Sequence, residues 1–491
     1  QLVSEGTGAI LDAEGASRIF SVDGGARLRL ERITLANGGG VDSGGAMFVT
    51  NATVALARSS IVNSVATDGG GAAKALDSSL IIAEGSSIIG CDGGCYGGIY
   101  PSGAAIIIVD HSSIVGLSAW SGGSFYILSG MVVIRNRSSI EDSIASRGSS
   151  GDGGAIEIRS GSLRVSDSSI LRSTAAGSGG AIFVDGGDVK IVNSSIADSS
   201  AQTGGAMRVN AGRMTMMHTS LANSIATSYG GAMFIGGGIT MVTDGSSVVG
   251  SSGAIGGLLY AERGSVTFCD TTILDSTASN YGNAMNLNGG RVTVDHSRIA
   301  RSSGGRRCIR VSLGELHLIS SIIERSDSSE PNGVILYTPD STRTKLVVLT
   351  NTEFRQHACD VTLFSLSTAT TVFRNISFTP LPGCDTAALA SSAAFADVTP
   401  RPCGAKYADT EFNEWDVCSS NTPGACTAHP VFGTTLVGLN CTCPFPQFPN
   451  EAIIPDTTLA PYLPFPSLDL RTREGCIQPT RLEEAAVVST G

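Results

Sequence analysis

Apolar positions return along this chain with a beat of about 26 residues. A phrase of two small hydroxyl residues and isoleucine recurs as Ser59-Ser60-Ile61, Ser138-Ser139-Ile140, Ser168-Ser169-Ile170, Ser194-Ser195-Ile196 and Thr271-Thr272-Ile273. The column it defines continues through Ile33, Ile88, Ile114, Leu221, Val248, Ile299, Ile323, Phe354 and Phe378, in steps of 24 to 31 residues. A second phrase keeps the same time: Gly45-Ala46-Met47, Gly154-Ala155-Ile156, Gly180-Ala181-Ile182, Gly205-Ala206-Met207 and Gly231-Ala232-Met233. Self-similarity at this period marks a stacked repeat, here about fourteen copies.

The residues after each Gly-Ala show what the repeat is made of. They read Met47-Phe48-Val49, Ile156-Glu157-Ile158, Ile182-Phe183-Val184, Met207-Arg208-Val209 and Met233-Phe234-Ile235. The flanking positions are apolar, while the middle accepts Phe, Glu or Arg. Period two with one permissive face is a strand. Val189-Lys190-Ile191 supplies a second strand, and the Ser-Ile segment a third. Three short strands and their turns use up the period. The pattern therefore predicts an all-β fold, a right-handed parallel β-helix of about 14 coils stacked about 4.8 Å apart. Leucine-rich repeats have a similar period but need leucines at fixed offsets and an asparagine ladder, and neither is present.

Three positions after the isoleucine column lies a polar one: Ser64, Cys91, Leu117, Ser143, Ser173, Ser199, Ser224, Ser251, Ser276, Ser302 and Ser326. Stacked hydroxyls one strand apart are expected to alternate as donor and acceptor down the column. A serine nucleophile has no support, because near-equivalent coils cannot all be catalytic.

Punctuation divides the chain. Of 17 prolines, Pro101 is the sole one before residue 331, whereas 54 of the 62 glycines precede it. Eight of 12 cysteines lie from Cys359 onward. Glycine without proline suits tight turns between strands that must all donate. Dense proline and cysteine suit a small module held by disulfides. The expected domains are a β-helix over 1–382 and a Cys/Pro-rich module over 383–491. Cys359 and Cys384, one coil apart, are expected to be bonded, and Cys91 with Cys95 as a local staple. Cys269 and Cys308 fall on different faces and are expected to stay reduced.

The net charge of −11, without runs, disfavours nucleic acid as a partner. Apolar runs near six residues, such as 104–109, are too short to span a bilayer. The chain begins at Gln1 without a charged and apolar leader, so any signal peptide is expected to be already removed or to lie outside the chain.

The Gly-Gly-Ala-Ile/Met phrase at this beat, with Phe48-Val49-Thr50-Asn51, resembles the polymorphic outer membrane protein repeats of the pectin-lyase-like β-helix superfamily over about residues 20–380. Related repeats occur in surface proteins of algae and other protists. The tail cysteines Cys403, Cys418, Cys426, Cys441, Cys443 and Cys476 resemble an EGF-like module. That resemblance implies pairs Cys403–Cys426, Cys418–Cys441 and Cys443–Cys476, among the fifteen connectivities that six cysteines allow. A lone Cys-x-Cys without paired histidines is weak for zinc. Disulfides imply secretion.

Many β-helix proteins cleave polysaccharides with clustered carboxylates. The candidates here are Asp110-His111 and Asp295-His296, which occupy a repeat position filled elsewhere by Asn136-Arg137 or Met217-His218. A position so tolerant reads as a solvated turn, so no catalytic, metal or cofactor site is expected. Sequons stand at Asn51, Asn136, Asn193, Asn375 and Asn440, a number that chance supplies, so their use for glycosylation rests on secretion alone.

These readings lead to an extracellular structural protein, a self-assembling protomer of a glycosylated surface filament or appendage such as a mastigoneme. A surface adhesin with glycans as partners is the first alternative, and a polysaccharide lyase or hydrolase the second. Residues 1–32 hold no capping helix, so the first coil is expected to lie buried against another copy.

Overall fold

The computed structural model describes residues 1–326 apart from 7 and 147–149, residues 345–355, and the further strands 334–338, 362–366, 370–374, 377–379, 395–396 and 413–414. The chain is an all-β, right-handed parallel β-helix of about 12 turns near 26 residues each, with no helix among the described residues. One turn shows the plan. Strand Ile156–Ile158 leads to the longer Ser162–Ser166, then to Ser169–Leu171 and to the two-residue Thr174–Ala175. Gly179-Gly180-Ala181 then returns the chain to Ile182–Val184, directly beside its starting strand.

The isoleucine column forms the inner wall. Ile61, Ile88, Ile114, Ile140 and Ile170 pair coil to coil in register and have no exposed surface. Burying each side chain contributes about 1.5–3 kcal/mol. The column's last members, Phe354 and Phe378, pair as the sequence predicts.

A fourth ladder was not legible in the pattern. Eight short strands from Ser118–Ala119 to Ser303–Gly304 form their own sheet between the serine column and the Gly-Gly-Ala turn. Its Ala145, Ala175 and Ala201 bury a small separate apolar cluster. Strands of two to five residues, half of them only two, are too short to display a period of two.

The Gly-Gly-Ala phrase has a steric cause at each glycine. The first takes the left-handed conformation, with φ of 63° at Gly179 and 61° at Gly204. The second has ordinary φ but touches the next coil: a Cβ on Gly180 would lie 2.0 Å from the Gly205 carbonyl oxygen. Backbones stack here without any side chain between them.

Left-handed corners also flank the Ser-Ile strand, and there Asn and Asp are the residue types that tolerate it. Asn37, Asn63, Asp142, Asp198, Asn223 and Asp275 fill the following corner with φ of 51–57°. Corner side chains pair between coils in one direction. The Asn37, Asn223, Arg172 and Arg301 nitrogens donate to Asp12, Asp198, Asp142 and Asp275 of the preceding coil.

The serine column of Ser64 to Ser326 is fully buried, but the expected hydroxyl ladder does not form. Ser64, Ser173, Ser199 and Ser224 donate to the carbonyl two residues back in their own coil, at 3.2–3.4 Å. Ser251, Ser276 and Ser302 have no hydrogen-bond partner. The ladder runs instead through the first serine of the Ser-Ser-Ile phrase. The backbone N–H of Ile33, Ser59, Ser112, Ser168, Thr219, Thr271 and Ser297 each donates to the hydroxyl of the equivalent Ser in the next coil, at 2.9–3.2 Å. The left-handed corner just before turns that N–H away from the carbonyl ladder, and the hydroxyl takes the carbonyl's place.

Two cysteine expectations are corrected. Cys91 and Cys95 are both free thiols. Cys91 fills a buried serine-column position with its Sγ on the Ile89 carbonyl, which points it into the core rather than along the loop to Cys95. Cys269, expected to stay reduced, is disulfide-bonded. The expected pairs among Cys359, Cys384, Cys403, Cys418, Cys426, Cys441, Cys443 and Cys476 lie outside the described residues, as do Asn375, Asn440 and nearly all of 383–491.

Candidate functional site

The middle residue of each Gly-Ala strand points outward, and coil stacking places all of these residues in one line. Phe48, Lys74 and Tyr100 follow one another, then Tyr126, Glu157, Phe183, Arg208, Phe234, Tyr260, Asn286 and Arg310. Sequence reading found this position permissive. The structure shows a closed column: Tyr100, Tyr126, Phe183 and Phe234 are only 4–9% exposed. Neighbouring rings and cations cover one another. Tyr96, Tyr100 and Tyr126 pack with centroids 4.5–5.7 Å apart, and Phe234 stacks on Tyr260 at 5.1 Å. Lys74 lies over Tyr100 at 4.7 Å and Arg208 over Phe234 at 4.5 Å. Such contacts contribute about 0.5–2 kcal/mol each.

Glu157 is the one acid in this line and has no exposed surface. Tyr126 and Phe183 enclose it from the two adjoining coils. Its Oε1 lies 2.7 Å from Arg159 Nε, and Arg159 Nη1 reaches Asp185 at 2.7 Å. Burial pushes the Glu157 carboxyl up to about 7, against the pull of Arg159 and Ser121, with Asp152 and Asp185 adding to the rise. Burial raises Asp152 as well. Arg208 extends the network by donating to Ser178 and Asn210. A large or charged residue at a nominally outward position was the only signal in the sequence.

The two Asp-His candidates are placed apart. Asp110 and Asp295 each end a long strand, seven ladder steps from one another, about 34 Å at the strand spacing. Asp110 is partly desolvated, yet bonds from Asn136, His111 and Arg135 hold its carboxyl below the usual range. Burial raises Asp295, which pairs with His296 at 2.7 Å. His111 and His296 occupy left-handed corners, as the turn reading expects. Asn51, Asn136 and Asn193 are all exposed at left-handed corners. Among the described residues, no three His, Cys, Asp or Glu side chains gather to hold a metal ion, and no helix is long and apolar enough to cross a membrane.

The fold and its columns define the class, a parallel β-solenoid repeat protein whose outward column is closed by its own side chains. Neither a family model nor a curated protein nor a solved structure matches the chain.

Proposed function

We propose that this is an extracellular structural protein, a self-assembling protomer of a glycosylated surface filament or appendage. The closed outer column carries the reading. A rod about 60 Å long at 4.8 Å per turn has Tyr100, Tyr126, Phe183 and Phe234 buried between neighbouring coils, which stiffens it and withholds these four rings from a sugar, although Trp120 and Tyr229 are exposed. The edge adds support. Strand Ala9–Asp12 is exposed along its length, with Ile10 69% and Leu11 36% exposed. An apolar edge strand accepts a further strand, and a second copy adding there continues the stack. Sedimentation of the protein across a concentration series tests this. Concentration-dependent growth that Ile10→Lys abolishes is the expected result, and a monomer at every concentration overturns it.

One observation favours a second reading, a polysaccharide lyase or hydrolase. Asp152, Glu157 and Asp185 place three interacting carboxylates on one face. Glu157 has no surface to offer a substrate, which ranks this reading second. Turnover of a uronan that Asp185→Asn and Asp152→Asn abolish would reverse the order.

A further inference from the structure

Three described asparagines carry the Asn-x-Ser/Thr sequence, and their surroundings differ. The Asn136 carboxamide donates to Asp110 of the preceding coil at 2.9 Å, and Asn193 donates likewise to Asp167. The third sequon residue also matters. Ser138 is 1% exposed, with its hydroxyl on the Arg135 carbonyl and its oxygen accepting the Ser112 N–H. Ser195 is half-buried on the outer face.

Asn51 has neither obstacle. In the preceding coil its ladder neighbour is the turn Asp23-Gly24-Gly25, where an added Cβ at either glycine would meet nothing within 4 Å. In the following coil Asp77 faces away, its carboxylate accepting the Ala104 N–H at 2.8 Å. The Asn51 backbone is anchored, its N–H on the Leu76 carbonyl and its own carbonyl accepting from Gly25. Its exposed side chain stays unclaimed, and the Thr53 hydroxyl two residues on is also without a partner. The partners of Asn136 and Asn193 precede them in the chain, so a chain threaded N-terminus first presents Asp110 and Asp167 before either asparagine arrives.

We propose that Asn51 is the acceptor for an N-linked oligosaccharide, with Asn193 a poorer one and Asn136 the poorest. The inference rests on the secreted reading above. The donor is a polyprenyl-diphosphate-linked oligosaccharide. Asn51 Nδ2 forms a bond to the anomeric carbon as the bond from that carbon to the diphosphate oxygen breaks. The amide gives up one proton to the transferase base, and the polyprenyl diphosphate leaves.

The test expresses the full chain behind a cleavable secretion signal in a eukaryotic host and maps glycopeptides by mass spectrometry after enzymatic deglycosylation in heavy-oxygen water. The host supplies the compartment, so the outcome is independent of where the native protein resides, and native localisation is tested separately by surface labelling. Occupancy falling in the order Asn51, Asn193, Asn136 is expected, with Asp110→Ala raising occupancy at Asn136 at least twofold. An unmodified Asn51, or Asn136 occupied as fully as Asn51, overturns the proposal. The wild-type map decides this even if Asn51→Gln fails to fold.

Discussion

Two serine columns flank the same short strand, and they are stabilised differently. The first, before the strand, holds Ser59, Ser86, Ser138 and Ser194, each of which accepts a backbone N–H from the preceding coil. The second, after it, holds Ser173, Ser199 and Ser276, whose hydroxyls bond within their own coil or to nothing. Ser64 departs from this, since it also accepts the Gly38 N–H of the preceding coil at 3.1 Å. Both are buried and both are serine. A left-handed corner precedes both, and what separates them is whether the hydroxyl accepts an N–H from the coil before. Before the strand that N–H has lost its carbonyl and needs the hydroxyl. In both columns the next residue rejoins the carbonyl ladder, as in Ser195 N–H to the Ser168 carbonyl and Ile225 N–H to the Ser199 carbonyl. The second column therefore selects for volume, and the first for chemistry.

The largest effect that tests this contrast is steric. Leu117 replaces serine in the second column, and Gly98 stands opposite where other coils carry Ala, with a Cβ there 2.4 Å from Leu117 Cδ2. Gly98→Ala is expected to cost up to about 3 kcal/mol by overpacking. Adding Leu117→Ser restores the arrangement of Ala155 with Ser173 and should recover most of the loss in a double-mutant cycle. A loss that the second change does not recover would mean that volume does not govern the column.

A buried polar group outside both columns sharpens the contrast through pH. Glu157, raised to about 7 by burial, binds its proton more tightly folded than unfolded. Its contribution is therefore most favourable below the unfolded value, near 4.5, and is lost as pH rises through 7. Wild type should lose on the order of 2 kcal/mol between pH 5 and 8 through this group, and Glu157→Gln should flatten that slope in urea melts at the two pH values.

Ser138→Ala comes next. It leaves the buried Ser112 N–H without an acceptor and should cost about 1–2 kcal/mol in chemical denaturation. The smallest effect is the most discriminating. Ser276→Ala removes a buried hydroxyl that has no partner, so stability should hold within about 0.5 kcal/mol or rise. Equal losses from Ser138→Ala and Ser276→Ala would erase the distinction between the columns.

The coil, its period and its inner isoleucine wall were legible in the sequence. Side-chain periodicity in a strand depends only on alternation, and repetition makes alternation visible. The Gly-Gly-Ala phrase was legible as a marker, though its cause, a carbonyl 2.0 Å from a would-be Cβ, belongs to the stacked backbones. The His111 and His296 corners were legible as turns for the same reason, although Asp110 and Asp295 before them end strands.

Contacts between coils were decided by the tertiary structure. Which serine accepts a neighbour's N–H is set by how adjacent coils meet, since a left-handed corner precedes both columns, and Cys91 points inward because its column does. The closing of Glu157 between Tyr126 and Phe183 joins residues some 26 to 31 positions apart, through a spacing of one strand. The sequence alone determined what each coil is, because local alternation and glycine placement act within a few residues. What each coil does to the next was settled by stacking, because hydrogen-bond direction, ring cover and desolvation exist only once two coils lie side by side.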